Sequence, residues 1–207
     1  MKIRTFKTGF TLIELLLALV ITGIVASAVA TLAYAMNSAG LATDDTSRKQ
    51  AQVRFATARI SDLIRHCRLV CYASASEVAV WAADTNADGK INIGELTYIE
   101  AGSARNRLRL YTFAPTSSAA ISLSSIGALS TNWWSAYSSQ MSYTSVVPTC
   151  SNVTFYLDSA PPNSKIVSIT FNLLGNGVTS NYQISAALRG WAGNLLGATN
   201  NIVSDDD

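Results

Sequence analysis

Histidine, cysteine, proline and charged residues are all scarce in this chain of 207 residues. It contains one histidine, three cysteines and four prolines, and only 14% of its residues are charged. Three cysteines are too few for a small domain that is held together mainly by disulfides. The formal net charge of +2 is too small for a nucleic-acid-binding surface, so no nucleic-acid partner is expected.

The scarcity of reactive side chains also argues against an enzyme. His66 is the single histidine, and no serine or cysteine nucleophile motif surrounds it. The sequence contains neither a phosphate-binding loop nor a dinucleotide-binding glycine pattern. Cys67 and Cys71 follow His66 closely, but their spacing does not fit a zinc-binding pattern. We therefore expect no catalytic residues.

Hydrophobic residues make up 49% of the chain, and many of them lie near the N-terminus. The run from Phe10 to Met36 contains a single charged residue, Glu14. About 20 apolar helical residues span a bilayer, so this run is long enough to cross a membrane. Three basic residues precede it: Lys2, Arg4 and Lys7. Basic residues favour the cytoplasmic side, so the rest of the chain should lie on the far side of the membrane.

Two ordinary kinds of targeting segment also begin with basic residues and an apolar run. A cleaved secretory signal has an apolar region of only about 7–15 residues before its small-residue cleavage site. Residues 26–28 could mimic such a site, but apolar sequence continues on both sides of them. An uncleaved signal anchor fits the length and charge equally well. Glu14 argues against both, because a carboxylate in a membrane helix is costly and usually marks a partner or a pathway.

Residues 9–14 read Gly-Phe-Thr-Leu-Ile-Glu, and here the sequence resembles the prepilin family, whose motif is this hexapeptide followed by an apolar helix. The resemblance covers about residues 6–35. It implies that prepilin peptidase cleaves after Gly9 and methylates the new N-terminus at Phe10. It also implies that Glu14 acts in assembly, by pairing with the Phe10 amine of a neighbouring subunit. Such a pair is stronger in an apolar environment than in water and offsets the cost of burying each charge alone.

A second helical pattern follows the apolar run, after polar residues that begin at Asn37. Its apolar residues are spaced three or four apart and share one face of a helix: Val53, Ala56, Ile60, Leu63 and Cys67. We therefore expect residues 37–72 to form an amphipathic continuation of the helix, packed on the chain's own domain.

From residue 73 onwards the pattern is typical of β-strands. Six segments have strand-like composition or alternation: Glu77–Trp81, Leu96–Ile99, Arg107–Phe113, Val153–Leu157, Lys165–Leu173 and Thr179–Ala187. Residues 175–177, Gly-Asn-Gly, predict a hairpin turn between the last two segments. Residues 114–150 are rich in Ser, Thr and Ala, and we interpret them as a long excursion with a short helix near Ser118–Leu129. Trp133 and Trp134 should anchor this excursion to the core, and an exposed partner patch is the alternative.

The expected fold class is α+β, with a long N-terminal helix packed on an antiparallel β-sheet, as the resemblance to pilins also implies. We divide the chain into a cleaved leader, a transmembrane assembly helix, its amphipathic continuation, a β-rich globular domain and a flexible tail. These parts cover residues 1–9, 10–36, 37–72, 73–191 and 192–207 respectively.

Residues 84–95 follow the pattern of a calcium-binding loop. The oxygen ligands at positions 1, 3, 5, 7, 9 and 12 would come from Asp84, Asn86, Asp88, the carbonyl of Lys90, Asn92 and Glu95. Gly89 provides the sharp turn at position 6. Because strands rather than helices flank the loop, we expect structural calcium rather than a sensor; the alternative is a solvated Asn/Asp/Gly turn. The resemblance adds weight, since pseudopilin domains can use calcium to fix loops.

The three cysteines allow a disulfide if the soluble part faces an oxidising compartment. A bridge from Cys150 to Cys67 or Cys71 would tie the long excursion to the helix. Free buried thiols are the alternative. A bridge between Cys67 and Cys71 is disfavoured, because side chains one helical turn apart rarely meet disulfide geometry.

Taken with the resemblance, these features predict a minor pilin or pseudopilin. It would cross the bacterial inner membrane once, with its C-terminal domain in the periplasm. It would then assemble with other pilin subunits into a periplasmic pseudopilus of type II secretion or a surface type IV pilus. The layout is most similar to J-type minor pseudopilins and W-type minor pilins. The alternative is a membrane-anchored, calcium-dependent binding or adhesin domain outside any filament.

Overall fold

The computed structural model describes residues 11–114, 119–175 and 177–197. In this part of the chain one long α-helix is followed by eight β-strands and several short 3-10 turns. The bounds are α1 Leu12–His66, β1 Leu69–Ala73, β2 Glu77–Trp81, β3 Leu96–Glu100, β4 Leu108–Phe113, β5 Met141–Val147, β6 Ser151–Leu157, β7 Ile166–Gly175 and β8 Val178–Ala187. The expected α+β class is confirmed. The processing residues Gly9 and Phe10, and residues 198–207 of the expected tail, lie outside the described residues.

The chain divides into two compact units, residues 1–46 and residues 47–207. Every described residue of the first unit from Thr11 to Leu41 is exposed. Within the described residues, α1 is the one helix that is long and apolar enough to cross a membrane. The N-terminal part of α1 therefore has the length and composition expected of a membrane segment.

In the second unit, α1 buries the face that its apolar spacing predicts. Ala56, Ile60 and Ile64 are fully buried, whereas Val53 and Leu63 pack at the edge of the same core. Ile64 is an additional member of the predicted stripe, because it follows Ile60 by four residues and so shares its face.

The helix ends at His66, so the expectation that it continues to residue 72 is wrong. Leu69–Ala73 instead forms β1, which pairs antiparallel with β2 from Leu69↔Trp81 onwards. Leu69, Val70 and Cys71 are consecutive and all buried, which suits a strand with a core on each face. Such an uninterrupted apolar run cannot be told from a buried helix by its periodicity alone.

Strands β1 to β5 form one antiparallel sheet in the order β1-β2-β3-β4-β5, and both of its faces carry buried residues. The first core joins the helix to this sheet and to the second sheet; its members include Ile60, Val78, Val80, Ile99, Phe171 and Ile184. The second core covers the opposite face; its members include Leu69, Trp81, Ile93, Leu96, Tyr98 and Phe113. Because β2 lies between the two cores, all five of its residues are buried.

Strands β6 to β8 form a separate three-stranded antiparallel sheet, whereas a single sheet was expected. Pro148 follows the last residue of β5 and has no backbone N–H to donate, which ends the first ladder before β6 begins. The predicted hairpin is confirmed, because β7 pairs with β8 from Ile166↔Ala187 to Gly175↔Val178. Gly177 has φ of +77°, a conformation that glycine adopts readily.

The six predicted strands are present with small boundary shifts, but β5 lies within the stretch interpreted as an excursion. Met141–Val147 pairs with β4 through Leu110↔Thr144 and Tyr111↔Tyr143. The short helix expected near Ser118–Leu129 is replaced by 3-10 turns at Leu123–Ser125 and Leu129–Thr131.

The two neighbouring tryptophans of this stretch pack against the second core, as expected. The Trp133 ring lies 6.3 Å from that of Tyr98 and 6.4 Å from that of Phe113. Trp134 donates its indole N–H to the Leu129 carbonyl at 2.9 Å. Residues 119–140 therefore form a cover over the second core, and we call them the cover segment.

Candidate functional sites: the start of the helix and the loop of residues 84–95

Thr11 and Glu14 form a reciprocal cap at the start of α1. The Thr11 backbone N–H and hydroxyl donate to Glu14 Oε2 at 2.9 and 2.8 Å. The Glu14 N–H donates back to Thr11 Oγ1 at 3.4 Å. This is a capping box, which satisfies backbone donors that have no partner inside the helix. The sequence analysis gave Glu14 a role between subunits but did not predict its role in the helix cap. The pattern Thr-x-x-Glu at the start of a helix is the known signal of a capping box.

The polar side chains further along the apolar part of α1 satisfy their hydrogen bonds within the helix. Thr22 Oγ1 donates to the Ala18 carbonyl at 2.6 Å, and Thr31 Oγ1 to the Ser27 carbonyl at 3.0 Å. The large apolar side chains around them are exposed in the isolated chain, with Leu12 at 79% and Leu32 at 62%. This surface can therefore enter hydrocarbon or a helix bundle without leaving polar groups unpaired. Glu14 is the one charge it carries.

The loop of residues 84–95 joins β2 to β3, and several of its predicted ligand oxygens face one another. Asp84 accepts hydrogen bonds from the Asp88 N–H at 3.2 Å and the Gly89 N–H at 3.1 Å. The Asn86 amide donates to Asp88 Oδ2 at 2.8 Å. Gly89 has φ of +67°, so the sharp turn at position 6 uses the residue that adopts it most readily.

Asn92, near the other end of the loop, lies close to Asp88 and the Lys90 carbonyl. Its Nδ2 lies 3.1 Å from Asp88 Oδ2 and 3.5 Å from the Lys90 carbonyl oxygen. Its Oδ1 is buried and accepts no hydrogen bond, and the residue as a whole is 2% exposed. Five of the six predicted ligand residues are thus brought together: Asp84, Asn86, Asp88, Lys90 and Asn92.

Glu95, the sixth predicted ligand, uses its carboxylate differently in the structure. One oxygen accepts bonds from the Thr85 N–H at 2.6 Å and its hydroxyl at 2.9 Å, and the other accepts the Trp81 indole N–H at 3.0 Å. The second oxygen also lies 3.4 Å from the Asn92 N–H. Glu95 therefore fastens the two ends of the loop instead of joining the other five predicted ligand residues. No group of three or more His, Cys, Asp or Glu side chains placed to hold a metal occurs in the described ranges.

Electrostatics favour ionised carboxylates in the loop. Burial opposes ionisation of Glu95, but the hydrogen bonds from Trp81 and Thr85 outweigh it and lower the pKa of its carboxyl. Desolvation likewise opposes ionisation of Asp88, and bonds from the Lys90 N–H and the Asn92 amide lower its pKa overall. Both groups are therefore negatively charged at neutral pH.

All three cysteines are free, buried thiols, so the bridge expected from Cys150 is not formed in the structure. Cys67 and Cys150 belong to the first core, whereas Cys71 belongs to the second. Burial raises the pKa of Cys67 to about 12 and that of Cys150 to about 11, and it also raises the pKa of Cys71. Such thiols stay protonated and pack as small apolar side chains.

Comparison with known proteins gives one result, and it falls on the start of the chain. Residues 4–30 match the model of the prokaryotic N-terminal methylation motif. No curated protein and no solved structure matches the chain. The matched residues include the Thr11–Glu14 cap and the beginning of the exposed apolar helix. The chain therefore carries, over residues 4–30, the N-terminal methylation motif that is characteristic of the type IV pilin and pseudopilin family.

Proposed function

We propose that this protein is a minor subunit of a pilin-like filament and that Glu14 sets its position against the neighbouring subunit. The observation that carries the proposal is a single carboxylate on an otherwise apolar, fully exposed helical surface, inside the methylation motif. Cleavage after Gly9 would create a cation at Phe10, one helical turn before Glu14. In a bundle of such helices each Glu14 can accept the amine of the next subunit.

The cap at the start of α1 is compatible with this role. Glu14 Oε2 accepts both bonds from Thr11, and no hydrogen bond to Oε1 occurs among the described residues. A carboxylate has about four lone-pair sites, so it can keep the cap and also accept an amine. Within hydrocarbon, pairing with the opposite charge would offset most of the cost of burying the carboxylate.

The filament we propose is a type II secretion pseudopilus or a type IV pilus, and the layout suits a J-type pseudopilin or a W-type minor pilin. The support is a globular unit with two antiparallel sheets and a retained Glu14. The retained acid favours a position below another subunit, because it needs an incoming amine. The bacterial inner membrane would hold the subunit before assembly, with the second unit in the periplasm.

The test is incorporation of the Glu14→Gln and Glu14→Ala variants into filaments, measured by cross-linking between subunits in cells. We expect at least a tenfold loss of the cross-linked species for both variants, with unchanged membrane insertion. Thr11→Ala is the matched control. It weakens the same cap, by about 0.5–2 kcal/mol of helix stability, but keeps the carboxylate, so it should assemble normally.

If Glu14→Gln assembles like the wild type, the carboxylate has no role between subunits and the proposal is wrong. That result would favour the alternative of a membrane-anchored, calcium-dependent binding or adhesin domain. If Thr11→Ala fails as severely as Glu14→Ala, the acid acts only through the cap.

A further inference from the structure

We propose that the loop of residues 84–95 binds one calcium ion and that this ion fastens the cover segment, residues 119–140, over the second core. The oxygens would come from Asp84, Asn86, Asp88, the carbonyl of Lys90 and Asn92. This inference does not depend on filament assembly, because every group it uses lies within the second unit.

The unpartnered oxygen of Asn92 is the observation that points to a ligand. A buried amide oxygen without a hydrogen bond is costly and rare in native proteins. The same amide group faces the Asp88 carboxylate and the Lys90 carbonyl through its Nδ2. A half-turn about its last side-chain bond exchanges Nδ2 and Oδ1. The amide oxygen then joins the oxygens of Asp88 and Lys90 around a common point, where a cation satisfies all of them.

The type of ion follows from the donors and from the net charge of the loop. Every donor is oxygen, from carboxylates, amides and a carbonyl, and such hard ligands suit calcium or magnesium rather than zinc or copper. Residues 84–95 contain three acidic residues and one lysine. The Arg68 guanidinium lies 3.5 Å from the Asp84 carboxylate. The loop and this guanidinium together therefore carry one net negative charge, although the whole chain has a net charge of +2. Irregularly arranged oxygens from a single loop favour calcium, since magnesium demands near-ideal octahedral ligation and gives up water reluctantly.

Glu95 would assist the site as a positioning residue. Its bonds to Thr85 and Asn92 hold positions 2 and 9 of the loop together. Its remaining bond, from the Trp81 indole, ties the loop to β2 inside the second core. The ligand residues are thus held near one another by a buried carboxylate at the end of the loop.

The link from the ion to the cover segment runs through the backbone on either side of Asn92. The Ile93 N–H donates to the Ala119 carbonyl at 3.0 Å, and the Ile121 N–H donates to the Ile91 carbonyl at 2.8 Å. Asn92 forms an isolated antiparallel bridge with Ala120 between these two bonds. An ion that holds Asn92 therefore also holds the start of the cover segment.

Side-chain packing extends this link into the second core. Ile91 and Ile93, on either side of Asn92, are 3% and 0% exposed, and both pack in that core. Leu123 and Ile126 of the cover segment belong to the same core. Loss of the ion should loosen the loop and, with it, the cover segment.

The first experiment measures binding with the full chain in nonionic detergent micelles. Terbium(III) serves as the probe, because Trp81 lies beside the loop and can sensitise its luminescence. We expect a saturable signal that calcium displaces and that an equal concentration of magnesium does not. Asp88→Asn should lower the affinity for terbium and calcium at least tenfold. Asp62→Asn is the matched control, since it removes an exposed carboxylate outside the loop and should bind like the wild type.

The second experiment measures the cover segment by limited proteolysis with chymotrypsin. Its half-buried aromatic residues Trp133, Trp134 and Tyr137 provide the cleavage sites. Calcium should slow their cleavage at least tenfold in the wild type and in Asp62→Asn. A chelator should abolish this protection. Asp88→Asn should be cleaved at the calcium-free rate under both conditions.

Three results would overturn the proposal. Absence of calcium-displaceable terbium binding at millimolar calcium, or equal affinity in Asp88→Asn, removes the site. If calcium binds but the chymotrypsin cleavage rate does not change, the ion does not fasten the cover segment. Near-ultraviolet circular dichroism of each variant checks that it is folded, so that lost binding is not confused with unfolding.

Discussion

Glu77 shows how one carboxylate joins the sheet to the cover segment. It lies at the start of β2, is 4% exposed, and accepts the Leu129 backbone N–H through its two oxygens at 3.1 and 3.2 Å. Burial raises the pKa of this carboxyl, and the nearby Glu100 carboxylate raises it further, while the bond from Leu129 opposes both effects. The folded state therefore holds this proton at a pH where the unfolded chain has released it.

The raised pKa of Glu77 predicts the sign of a stability change with pH. As pH rises from the ordinary glutamate range through the raised pKa, the folded state binds more protons than the unfolded state, so this group lowers the free energy of unfolding. Glu77→Gln keeps an acceptor for Leu129 and removes the charge. We expect its Tm to exceed that of the wild type by about 1–4 °C at pH 7–8. Thermal unfolding followed by circular dichroism should show this difference shrinking towards pH 4.

Glu95→Gln provides a control of opposite sign. The pKa of Glu95 is lowered, so its ionised form stabilises the folded state above the ordinary glutamate range and this stability is lost as pH falls. Its variant should be less stable than the wild type at neutral pH, with the deficit narrowing in acid. Equal pH profiles for Glu77→Gln and the wild type would contradict the raised pKa of the Glu77 carboxyl.

Among the elements, those with a local signature could be predicted from the sequence. The apolar spacing in α1 indicated its buried face, and glycines at 175 and 177 indicated the β7–β8 hairpin. Strand β5 lacked such a signature, because its serine and threonine side chains face outwards and only its pairing with β4 defines it. Strand β1 could not be told from a continuation of α1, because its apolar run is unbroken. Both depend on contacts that are distant in sequence.

The same distinction applies to the loop of residues 84–95. The spacing of its oxygen-bearing residues predicted which side chains would face one another, because that depends on the local turn around Gly89. It could not predict the position of the Glu95 carboxylate, which is set by the indole of Trp81 on β2. Nor could it predict the pairing of Asn92 with Ala120, since the cover segment reaches the loop only in the folded domain.

The packing of α1 in the first core predicts which substitutions in this helix lower stability. Ile60 is fully buried, whereas Phe55, five residues earlier on the same helix, is 54% exposed. Ile60→Ala should lower the free energy of unfolding of the second unit by about 2–5 kcal/mol, because it leaves a cavity in a close-packed core. Phe55→Ala should change it by less than about 0.5 kcal/mol. Urea unfolding in detergent, followed by tryptophan fluorescence, measures the free energy of unfolding of both variants. Similar losses of stability in Ile60→Ala and Phe55→Ala would contradict the packing described for α1.

In the molecule as a whole, the two compact units differ in what stabilises them. The second unit has two cores of its own, whereas the described residues of the first unit from Thr11 to Leu41 bury nothing in the isolated chain. An exposed apolar helix is not stable in water, so the first unit needs a membrane or other helices around it. The exposed apolar surface of the N-terminal helix is therefore consistent with membrane anchoring.

For the molecule as a whole, the motif predicts processing at the N-terminus. If prepilin peptidase recognises the motif, the mature protein begins at Phe10, carries an N-methyl group and keeps the entire apolar helix. Mass analysis and N-terminal sequencing of the protein from cells with the peptidase should show this start, and cells without it should yield the full-length precursor. Gly9→Val should block cleavage, because a branched side chain replaces the glycine before the cut, whereas Glu14→Ala should still be cleaved. An intact N-terminus in cells that contain the peptidase, or a cut near Ala28, would instead indicate an anchored or secreted domain. In that case Glu14 would act only in capping α1.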